Sequence, residues 1–301
     1  KEIILKEFKD TIDYANSLGM EVMVDVAPSI FNKLNISYEN LSFFKEIGAC
    51  GVRLDLGFSG NEESIMTFNE YGLLIEINMS QDTNYVNTIM DFMPNKEKLV
   101  GCHNFYPHRY TGLSREHFRN CNKRFKSFAL TTAAFVTSQT GTFGPWPVND
   151  GLCTLEEHRD LPIEVQGREL FNEGIDIVII SNCFPTEEEL KKLADINKEM
   201  LEIECEVYKG VGAVEKDIIE KELHYQRGDV GEYVVRSTQP RVKYKGIHFE
   251  LFNPVDIKKG YILIESSLYG QYAGELHIAK KDMKNSGKTS VVGKIDSNYM
   301  G

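Results

Sequence analysis

Two short apolar segments each carry a pair of polar residues at alternate positions. The first contains Arg53 and Asp55, and the second contains Glu76 and Asn78. Both segments are as apolar as buried strands, and side chains two positions apart on a strand point to the same face. Because an unpaired charge in a buried strand costs several kcal/mol, we expect the four side chains to converge on one polar centre. A purely structural ion pair inside the sheet is the alternative.

Further polar residues follow the ends of the other predicted strands. Parallel α/β folds bind ligands at the carboxyl ends of their strands, which makes these residues candidates for a site. Besides the four residues above, the set contains Asp25, His103, Asn104, Tyr106, Thr131, Thr132, Ser181 and Asn182. Carboxylates that lie close together repel, so we expect one of them to hold a proton near neutrality through a raised pKa. A carboxylic acid beside a carboxylate is what glycoside hydrolysis requires.

Other chemistries lack the residues that they need. Lys98 and Lys126 precede their predicted strands, which is the wrong end for a Schiff-base lysine. The sequence has no His-x-His pair of the kind that barrel-type metal hydrolases use. It also lacks the GxGxxG and GxxxxGK[ST] loops of nucleotide-binding proteins. We therefore expect neither a metal nor a cofactor.

Charge and composition exclude some partners of this 301-residue chain. Its net charge of −11 argues against binding to nucleic acid or to an anionic membrane. No apolar run reaches the roughly 18 residues of a membrane span. The six cysteines are scattered without a CxxC pair, which favours reduced thiols over a disulfide framework. With no recognisable signal peptide, we expect a cytoplasmic protein.

Strand and helix patterns alternate through residues 1–202. Six apolar strands each precede an amphipathic helix, which predicts a parallel sheet covered by helices. Two α/β architectures fit: an open doubly wound sheet, or a (β/α)8 TIM-type barrel whose first two strands lie outside this chain. The opening helix has no strand before it, which favours the barrel. Among the helices, we expect one near residues 37–46 and one near residues 163–173, the latter preceded by a capping box from Thr154 to Glu157.

The pattern changes after residue 202 to short alternating apolar runs. We predict a small all-β domain over residues 203–301. Its strands are expected near residues 206–208, 231–236, 247–251, 261–265 and 273–278. No closing strand is evident between the last of these runs and Gly301.

Two further segments are rich in groups that bind sugars or anions. The long loop of residues 137–151 holds the only tryptophan, Trp146, among glycines and hydroxyl groups. We interpret it as a sugar platform, with a surface lid that contacts no ligand as the alternative. Arg236, Gln239 and Arg241 lie close together in the second domain, and arginine forks match phosphate or carboxylate oxygens. A solvated edge strand is the alternative there.

Five segments together resemble a single family. They read Val-Arg-Leu-Asp-Leu-Gly-Phe from residue 52, Glu-Ile-Asn-Met-Ser from 76, Cys-His-Asn-Phe-Tyr-Pro-His-Arg-Tyr-Thr-Gly-Leu-Ser from 102, Gly-Pro-Trp-Pro from 144 and Arg-Ser-Thr-Gln-Pro-Arg from 236. With them the chain resembles the bacterial 6-phospho-N-acetylmuramidases of the MupG type. The resemblance implies a (β/α)8 barrel followed by a cyclophilin-like β domain. It also implies cytoplasmic hydrolysis of MurNAc 6-phosphate–GlcNAc to MurNAc 6-phosphate and GlcNAc, a step of peptidoglycan recycling.

On this interpretation Asp55 and Glu76 are the catalytic pair, and Asp25 is the substitute candidate. Arg53 positions Asp55 and contacts substrate. The other predicted contacts to substrate are Asn78, His103, Asn104, Tyr106, Trp146, Asn182, Arg236, Gln239 and Arg241. Of these, Arg236 and Arg241 are expected to meet the phosphate or the lactyl carboxylate.

The expected partner is the phosphorylated disaccharide, and a homodimer is left open. Two rival functions fit the same residues. One is another phosphosugar barrel enzyme, an isomerase or lyase, in which a carboxylate abstracts a proton. The other is a phosphosugar sensor without catalysis. Incorporation of solvent oxygen at the anomeric carbon would single out the hydrolase.

Overall fold

The structure is a computed structural model that describes residues 2–34, 36–148 and 150–296. The chain divides into two compact units, one up to Glu199 and one from Met200 onward. In the described part, no helix is long and apolar enough to cross a membrane.

The first unit contains a six-stranded parallel sheet whose strands follow one another in chain order. The strands are β1 (Met23–Asp25), β2 (Gly51–Leu54), β3 (Leu74–Asn78), β4 (Leu99–Cys102), β5 (Thr131–Val136) and β6 (Ile177–Ile180). In a doubly wound sheet the order reverses at a switch point, so the unbroken order rules that architecture out. The predicted alternation of parallel strands and helices is confirmed.

Eight α-helices accompany this sheet in the described residues. They are α1 (Glu2–Ser17), α2 (Pro28–Leu34), α3 (Ser42–Glu46), α4 (Asn61–Met66), α5 (Tyr85–Asp91), α6 (Arg115–Lys126), α7 (Ile163–Asn172) and α8 (Glu187–Ala194). Polar side chains fix several helix starts. The Ser114 hydroxyl accepts the His117 backbone N–H at 3.3 Å and begins α6, and Thr186 forms a capping box with Glu189 at the start of α8.

Two helix predictions are wrong in detail. Only the second half of the helix expected near residues 37–46 is helical, as α3, and the separate helix α2 ends before this range. The capping box from Thr154 is absent, and a short 3-10 helix, Glu156–His158, follows that residue. The helix expected near residues 163–173 is confirmed as α7. The Thr154 hydroxyl instead accepts the Phe135 N–H and donates to the Asn104 carbonyl, both at 2.9 Å. It therefore joins two strand ends rather than starting a helix.

The register of the first three strands explains why charged residues converge. Asp25 lies opposite Arg53, and Arg53 lies opposite Glu76. Paired residues of neighbouring parallel strands project from the same face of a sheet, so these three side chains share one face. Asn78 follows Glu76 by two positions and joins the same face.

The core beneath this polar edge is densely packed. Val52, Ile75 and Ile77 on the strands are 0% exposed. A glycine on β4 leaves room for a helix side chain, because a Cβ atom at Gly101 would lie 2.5 Å from Cδ1 of Phe125. The close approach of α6 to the sheet therefore depends on the missing side chain.

The second unit is built on a five-stranded antiparallel sheet in the order β7-β11-β9-β10-β8. Its strands are β7 (Cys205–Val207), β8 (Val234–Ser237), β9 (Tyr261–Glu265), β10 (Leu276–Ala279) and β11 (Thr289–Ile295). Two helices, α9 (Ala213–Lys221) and α10 (Gln239–Lys243), belong to the same unit.

Three expectations for the second unit are wrong. It is not all-β, because Ile218 on α9 is fully buried in its core. The predicted strand near residues 247–251 is irregular chain. The strand β11 was not predicted, although it pairs with both β7 and β9 and completes the sheet.

We expect Gly101→Ala to lower the free energy of unfolding by about 1–3 kcal/mol, because the new methyl group must push the Phe125 ring aside. Urea unfolding followed by circular dichroism measures this change. Gly228→Ala is the control, since a Cβ atom there meets nothing within 4 Å. Equal stability of the Gly101 variant and the wild type would contradict this account of the packing.

Candidate active site

A largely buried guanidinium, that of Arg53, lies at the centre of the polar edge of the first unit. Its Nη1 donates to Glu76 at 2.7 Å, and its Nη2 donates to Oδ1 of Asn104 at 2.5 Å. Asp25 and Asp55 approach the same guanidinium at 3.6 and 3.9 Å. We call these five residues the Arg53 cluster.

The three carboxylates of the Arg53 cluster differ in their access to solvent. The Glu76 side chain is only 9% exposed, whereas those of Asp25 and Asp55 are 62% and 46% exposed. Burying a carboxylate requires a partner, and Arg53 supplies it for Glu76. The two aspartates are the carboxylates that a ligand can reach.

Electrostatics set the charge states inside this cluster. Burial lowers the pKa of Arg53, but the Cys102 sulfur and the Glu76 carboxylate outweigh burial. The pKa of Arg53 is therefore raised, and the guanidinium remains charged. Burial raises the pKa of the Cys102 thiol, which stays protonated and donates to the His103 carbonyl at 3.3 Å.

The pKa of Asp25 is raised. Partial burial is the main cause, Arg53 opposes it, and the negative charges of Asp55 and Glu76 add to the rise. Solvent screens these effects because the side chain is largely exposed. The direction is the one expected for one member of a crowded carboxylate group.

Asn78 and Ser80 orient the Asp55 side of the site. The Asn78 amide nitrogen donates to Oδ1 of Asp55 at 3.2 Å, and its oxygen accepts the Ser80 N–H at 2.8 Å. The Ser80 hydroxyl in turn accepts the Asn104 N–H at 2.7 Å. Ser80 thereby holds both Asn78 and Asn104, the first through its backbone N–H and the second through its hydroxyl.

His103 lies behind the site and not at its surface. It is 0% exposed, and its ring stacks on Phe118 with the centroids 4.6 Å apart. Burial lowers its pKa to about 4, so the ring is neutral. Its Nε2 contacts Oδ1 of Asn122 at 2.8 Å, and its Nδ1 contacts the Ser80 hydroxyl at 3.3 Å, which assigns the proton to Nε2. The prediction that His103 contacts sugar does not fit this position, and it supports Ser80 instead.

Tyr106 and an aromatic wall complete the edge. Burial raises the pKa of the half-buried Tyr106 phenol, which lies close enough to Asp55 and Ser80 to interact with both. The Phe135 ring lies 6.0 Å from the Arg53 guanidinium, and Phe105 packs edge-on against Phe135. Aromatic surface beside a charged cluster suits a sugar ring, which is apolar on its faces and polar at its edge.

The structure does not place Asn182 in the Arg53 cluster. Its buried amide bonds the backbone of Ser138 at 2.7 and 2.9 Å and the carbonyl of Gly141 at 3.1 Å. Glu189 accepts hydrogen bonds from Ser138 and from the N–H of Gln139. These contacts anchor the first turn of the long loop, so Asn182 holds the loop rather than a ligand.

Trp146 lies on the same loop and is 58% exposed. The contacts of the Arg53 cluster do not include it. Its use as a sugar platform therefore stays a prediction.

Two buried side chains that the sequence analysis missed hold the neighbouring loops. Arg159, only 2% exposed, donates from Nη1 to the carbonyls of Tyr106 at 2.9 Å and Gly151 at 3.0 Å, while Glu156 binds its other nitrogens. The Glu-x-x-Arg spacing was the available signal.

Glu63, at 0% exposure, fixes the loop that follows Asp55. It accepts the Gly60 N–H at 2.7 Å and hydrogen bonds from the Phe58 N–H and the Tyr85 hydroxyl. These bonds fix the conformation of the loop independently of any ligand.

The arginines of the second unit are paired with a carboxylate that the sequence analysis overlooked. Arg236 and Arg241 both contact Glu275, at 2.7 and 3.2 Å. Gln239 is exposed, and its oxygen accepts the Ser237 hydroxyl at 3.1 Å. The alternative interpretation of this segment as a solvated edge strand does not account for two arginines that pair with a buried glutamate.

No group of three or more His, Cys, Asp or Glu side chains in residues 2–34, 36–148 and 150–296 is arranged to hold a metal ion. What the Arg53 cluster can do is proton transfer and charge stabilisation. Two accessible carboxylates flank a permanent positive charge, and one of them has a raised pKa.

Solved structures contain this fold. A crystal structure of an uncharacterized B. cereus protein is 46% identical, with a TM-score of 0.90, and the match covers 98% of this chain and 84% of that one. A conserved Enterococcus faecalis protein of unknown function is 21% identical with a TM-score of 0.66, covering 99% of this chain and 81% of that one, and this likeness shows the fold alone. None of the curated proteins matches the chain.

Two family models match the two parts of the chain. Residues 1–195 match the model described as 6-phospho-N-acetylmuramidase, N-terminal, and residues 201–300 match its C-terminal counterpart. Together they span nearly the whole sequence, and both are named for a glycosidase that acts on phosphorylated muramic acid. The chain therefore belongs to the 6-phospho-N-acetylmuramidase family and is a glycosidase.

Proposed function

We propose that this glycosidase hydrolyses MurNAc 6-phosphate–GlcNAc to MurNAc 6-phosphate and GlcNAc, as a step of peptidoglycan recycling in the cytoplasm. The observation that carries the proposal is the convergence of three carboxylates on Arg53 at the carboxyl ends of parallel strands. Six unpaired cysteines suit a reducing compartment.

We assign the catalytic roles to the accessible carboxylates. Asp55, oriented by Asn78, acts as nucleophile or base, and Asp25, whose pKa is raised, protonates the leaving oxygen. This revises the predicted pair of Asp55 and Glu76. Glu76 is buried and committed to Arg53, so we give it the role of holding the guanidinium in place.

Substrate contacts follow from the same exposure argument. Asn104 and Tyr106 are partly exposed beside the Arg53 cluster, and we propose that they bind sugar hydroxyls or the N-acetyl group. Trp146 remains the candidate platform on its loop. We assign structural roles to His103 and Asn182 in place of the predicted contacts with the ligand.

We further propose that the parallel sheet is part of a (β/α)8 barrel and that a cyclophilin-like domain begins near residue 203. The unbroken strand order supports the barrel. The strand β6 adds support, because in the described residues it pairs with β5 alone, which leaves its other edge open to a neighbouring strand.

Mass spectrometry of the products tests the proposed function. The protein is incubated with MurNAc-GlcNAc that carries, or lacks, phosphate at the muramyl C6 position. We expect cleavage of the phosphorylated form, with one oxygen taken from labelled water. Cleavage of neither form, or products without solvent oxygen, would reject the proposal.

Asp55→Asn should lower kcat on the order of a thousandfold while leaving the melting temperature near that of the wild type, because the amide preserves shape but cannot act as nucleophile or base. Steady-state kinetics on the phosphorylated disaccharide measure the loss. Asp91→Asn, at an exposed position at the end of α5, is the matched control and should retain full activity. Turnover within tenfold of the wild type would remove Asp55 from the mechanism.

Asp25→Asn should slow cleavage of the natural disaccharide about 10²–10⁴-fold, since the leaving oxygen then departs without a proton. An aryl glycoside of MurNAc 6-phosphate with a good leaving group needs no such proton and should lose much less. In the wild type, activity should fall as pH rises through the raised pKa of Asp25, and the variant should lose this alkaline limb. Equal losses on both substrates would argue against Asp25 as the acid and return Glu76 to consideration.

A further inference from the structure

A fully buried carboxylate in the second unit gathers three cationic side chains. Glu275 is 0% exposed. Its Oε1 accepts from Nε of Arg236 at 2.8 Å and contacts Nε2 of His277 at 3.1 Å. Its Oε2 lies 3.2 Å from Nε of Arg241. This last contact is an ion pair by distance, but it is not aligned as a hydrogen bond.

His277 sits between two carboxylates. Its Nδ1 lies 3.2 Å from Oε1 of Glu265, whose other oxygen accepts the Thr289 hydroxyl at 2.8 Å. Burial lowers the pKa of His277, but the bonds to Glu265 and Glu275 outweigh it and leave the pKa raised. Since both ring nitrogens face carboxylates, both must donate, which requires the protonated ring.

The charges of this group do not balance. Three cations, Arg236, Arg241 and His277, form their ion pairs with two carboxylates, those of Glu265 and Glu275. We call these five residues the Glu275 cluster. A neighbouring arginine shows the contrast, because Arg227 is engaged in a bidentate pair by Asp229 and is already neutralised. The Glu275 cluster thus retains one positive charge in a chain whose net charge is −11.

The unbalanced charge lies toward solvent. The Arg236 and Arg241 side chains are 27% and 24% exposed, in front of the buried carboxylate. Nη1 of Arg236 and both Nη atoms of Arg241 bond no other group in residues 150–296. The Arg241 guanidinium also packs over the Tyr272 ring at 5.2 Å, which fixes its plane. Several oriented N–H donors are therefore available to a ligand.

We propose that Arg236 and Arg241 form a binding site for a phosphate monoester, held in place by Glu275 and made more positive by His277. A single guanidinium satisfies the two oxygens of a carboxylate, whereas a phosphate offers three oxygens and up to two negative charges. Two forks fixed on one glutamate match the larger and more highly charged anion. The site itself stands on this geometry, and only the identity of the monoester as the muramyl 6-phosphate rests on the proposed function.

Titration with inorganic phosphate, followed by phosphorus NMR line width, tests the site without relying on catalysis. Arg236→Gln and Arg241→Gln should each weaken binding about tenfold to a hundredfold, because each removes a charged hydrogen-bonding partner. Lys258→Gln is the control and should bind as the wild type does, because Lys258 pairs with Asp282 and with no member of the Glu275 cluster. Wild-type protein that binds no phosphate, or arginine variants with wild-type affinity, would overturn the proposal.

A second variant separates loss of the site from loss of the fold. Arg236→Gln leaves Glu275 buried with fewer partners, so its melting temperature is compared with that of the double variant Arg236→Gln/Glu275→Gln, which removes both charges. The double variant should fold and still bind phosphate weakly. Wild-type affinity in a folded double variant would reject the site.

The role of His277 is tested with sulfate, whose charge is constant near neutrality. In the wild type, sulfate affinity should fall as pH rises through the raised pKa of His277, because the ring loses its charge between Glu265 and Glu275. His277→Gln should bind more weakly and show no such pH dependence. An unchanged pH profile in this variant would remove His277 from the site.

The same variants distinguish the two sources of phosphate. If the ligand is the phosphate of the substrate, Arg241→Gln should raise KM for the phosphorylated disaccharide at least tenfold, whereas the Lys258→Gln control should leave it unchanged. If KM is unchanged while inorganic phosphate binding is lost, the site takes free phosphate instead. Wild-type protein that cleaves neither disaccharide would reject the proposed function, and the phosphate titration would still decide the anion site.

Discussion

The ion pair between Arg53 and Glu76 is the interaction on which the functional edge of the first unit depends. Both residues lie on adjacent parallel strands in direct register, and both are largely buried. Either charge alone would be strongly destabilising there, so each requires the other. Once the guanidinium is fixed, it sets where Asp25, Asp55 and Asn104 can lie, because all three approach it.

The irregular segments that follow the strands are held by buried polar side chains outside the Arg53 cluster. Segments that leave a sheet have backbone groups without ladder partners, and buried side chains satisfy them here. Glu63 holds the segment after β2, Arg159 joins the segments after β4 and β5, and Asn182 with Glu189 holds the loop after β5. Each of these side chains is polar and nearly inaccessible. The accessible aspartates can therefore stay exposed on loops whose backbones are fixed.

The sequence was sufficient for the parallel sheet and for the convergence of charges, because strand periodicity and the cost of buried charge are local properties. Arg53, Asp55, Glu76 and Asn78 were predicted to meet, and they do. The sequence was insufficient to distinguish a side chain that contacts the ligand from one that holds the site in place. Whether His103 faces substrate or packs behind Ser80 depends on Phe118 and Asn122, which lie on a helix whose position no local pattern specifies. Glu275 was missed for the same reason, since its partners come from other strands and a helix.

The charged clusters of the two units are built in the same way but with opposite charges. In the Arg53 cluster a cation is surrounded by carboxylates, and the least buried of these has a raised pKa, which suits it to release a proton. In the Glu275 cluster a carboxylate is surrounded by cations, and the excess charge suits it to hold an anion. In both, the most deeply buried carboxylate serves as the anchor, and the more exposed members can meet a ligand. Burial therefore separates the structural from the functional members of each cluster, a distinction that residue type alone does not provide.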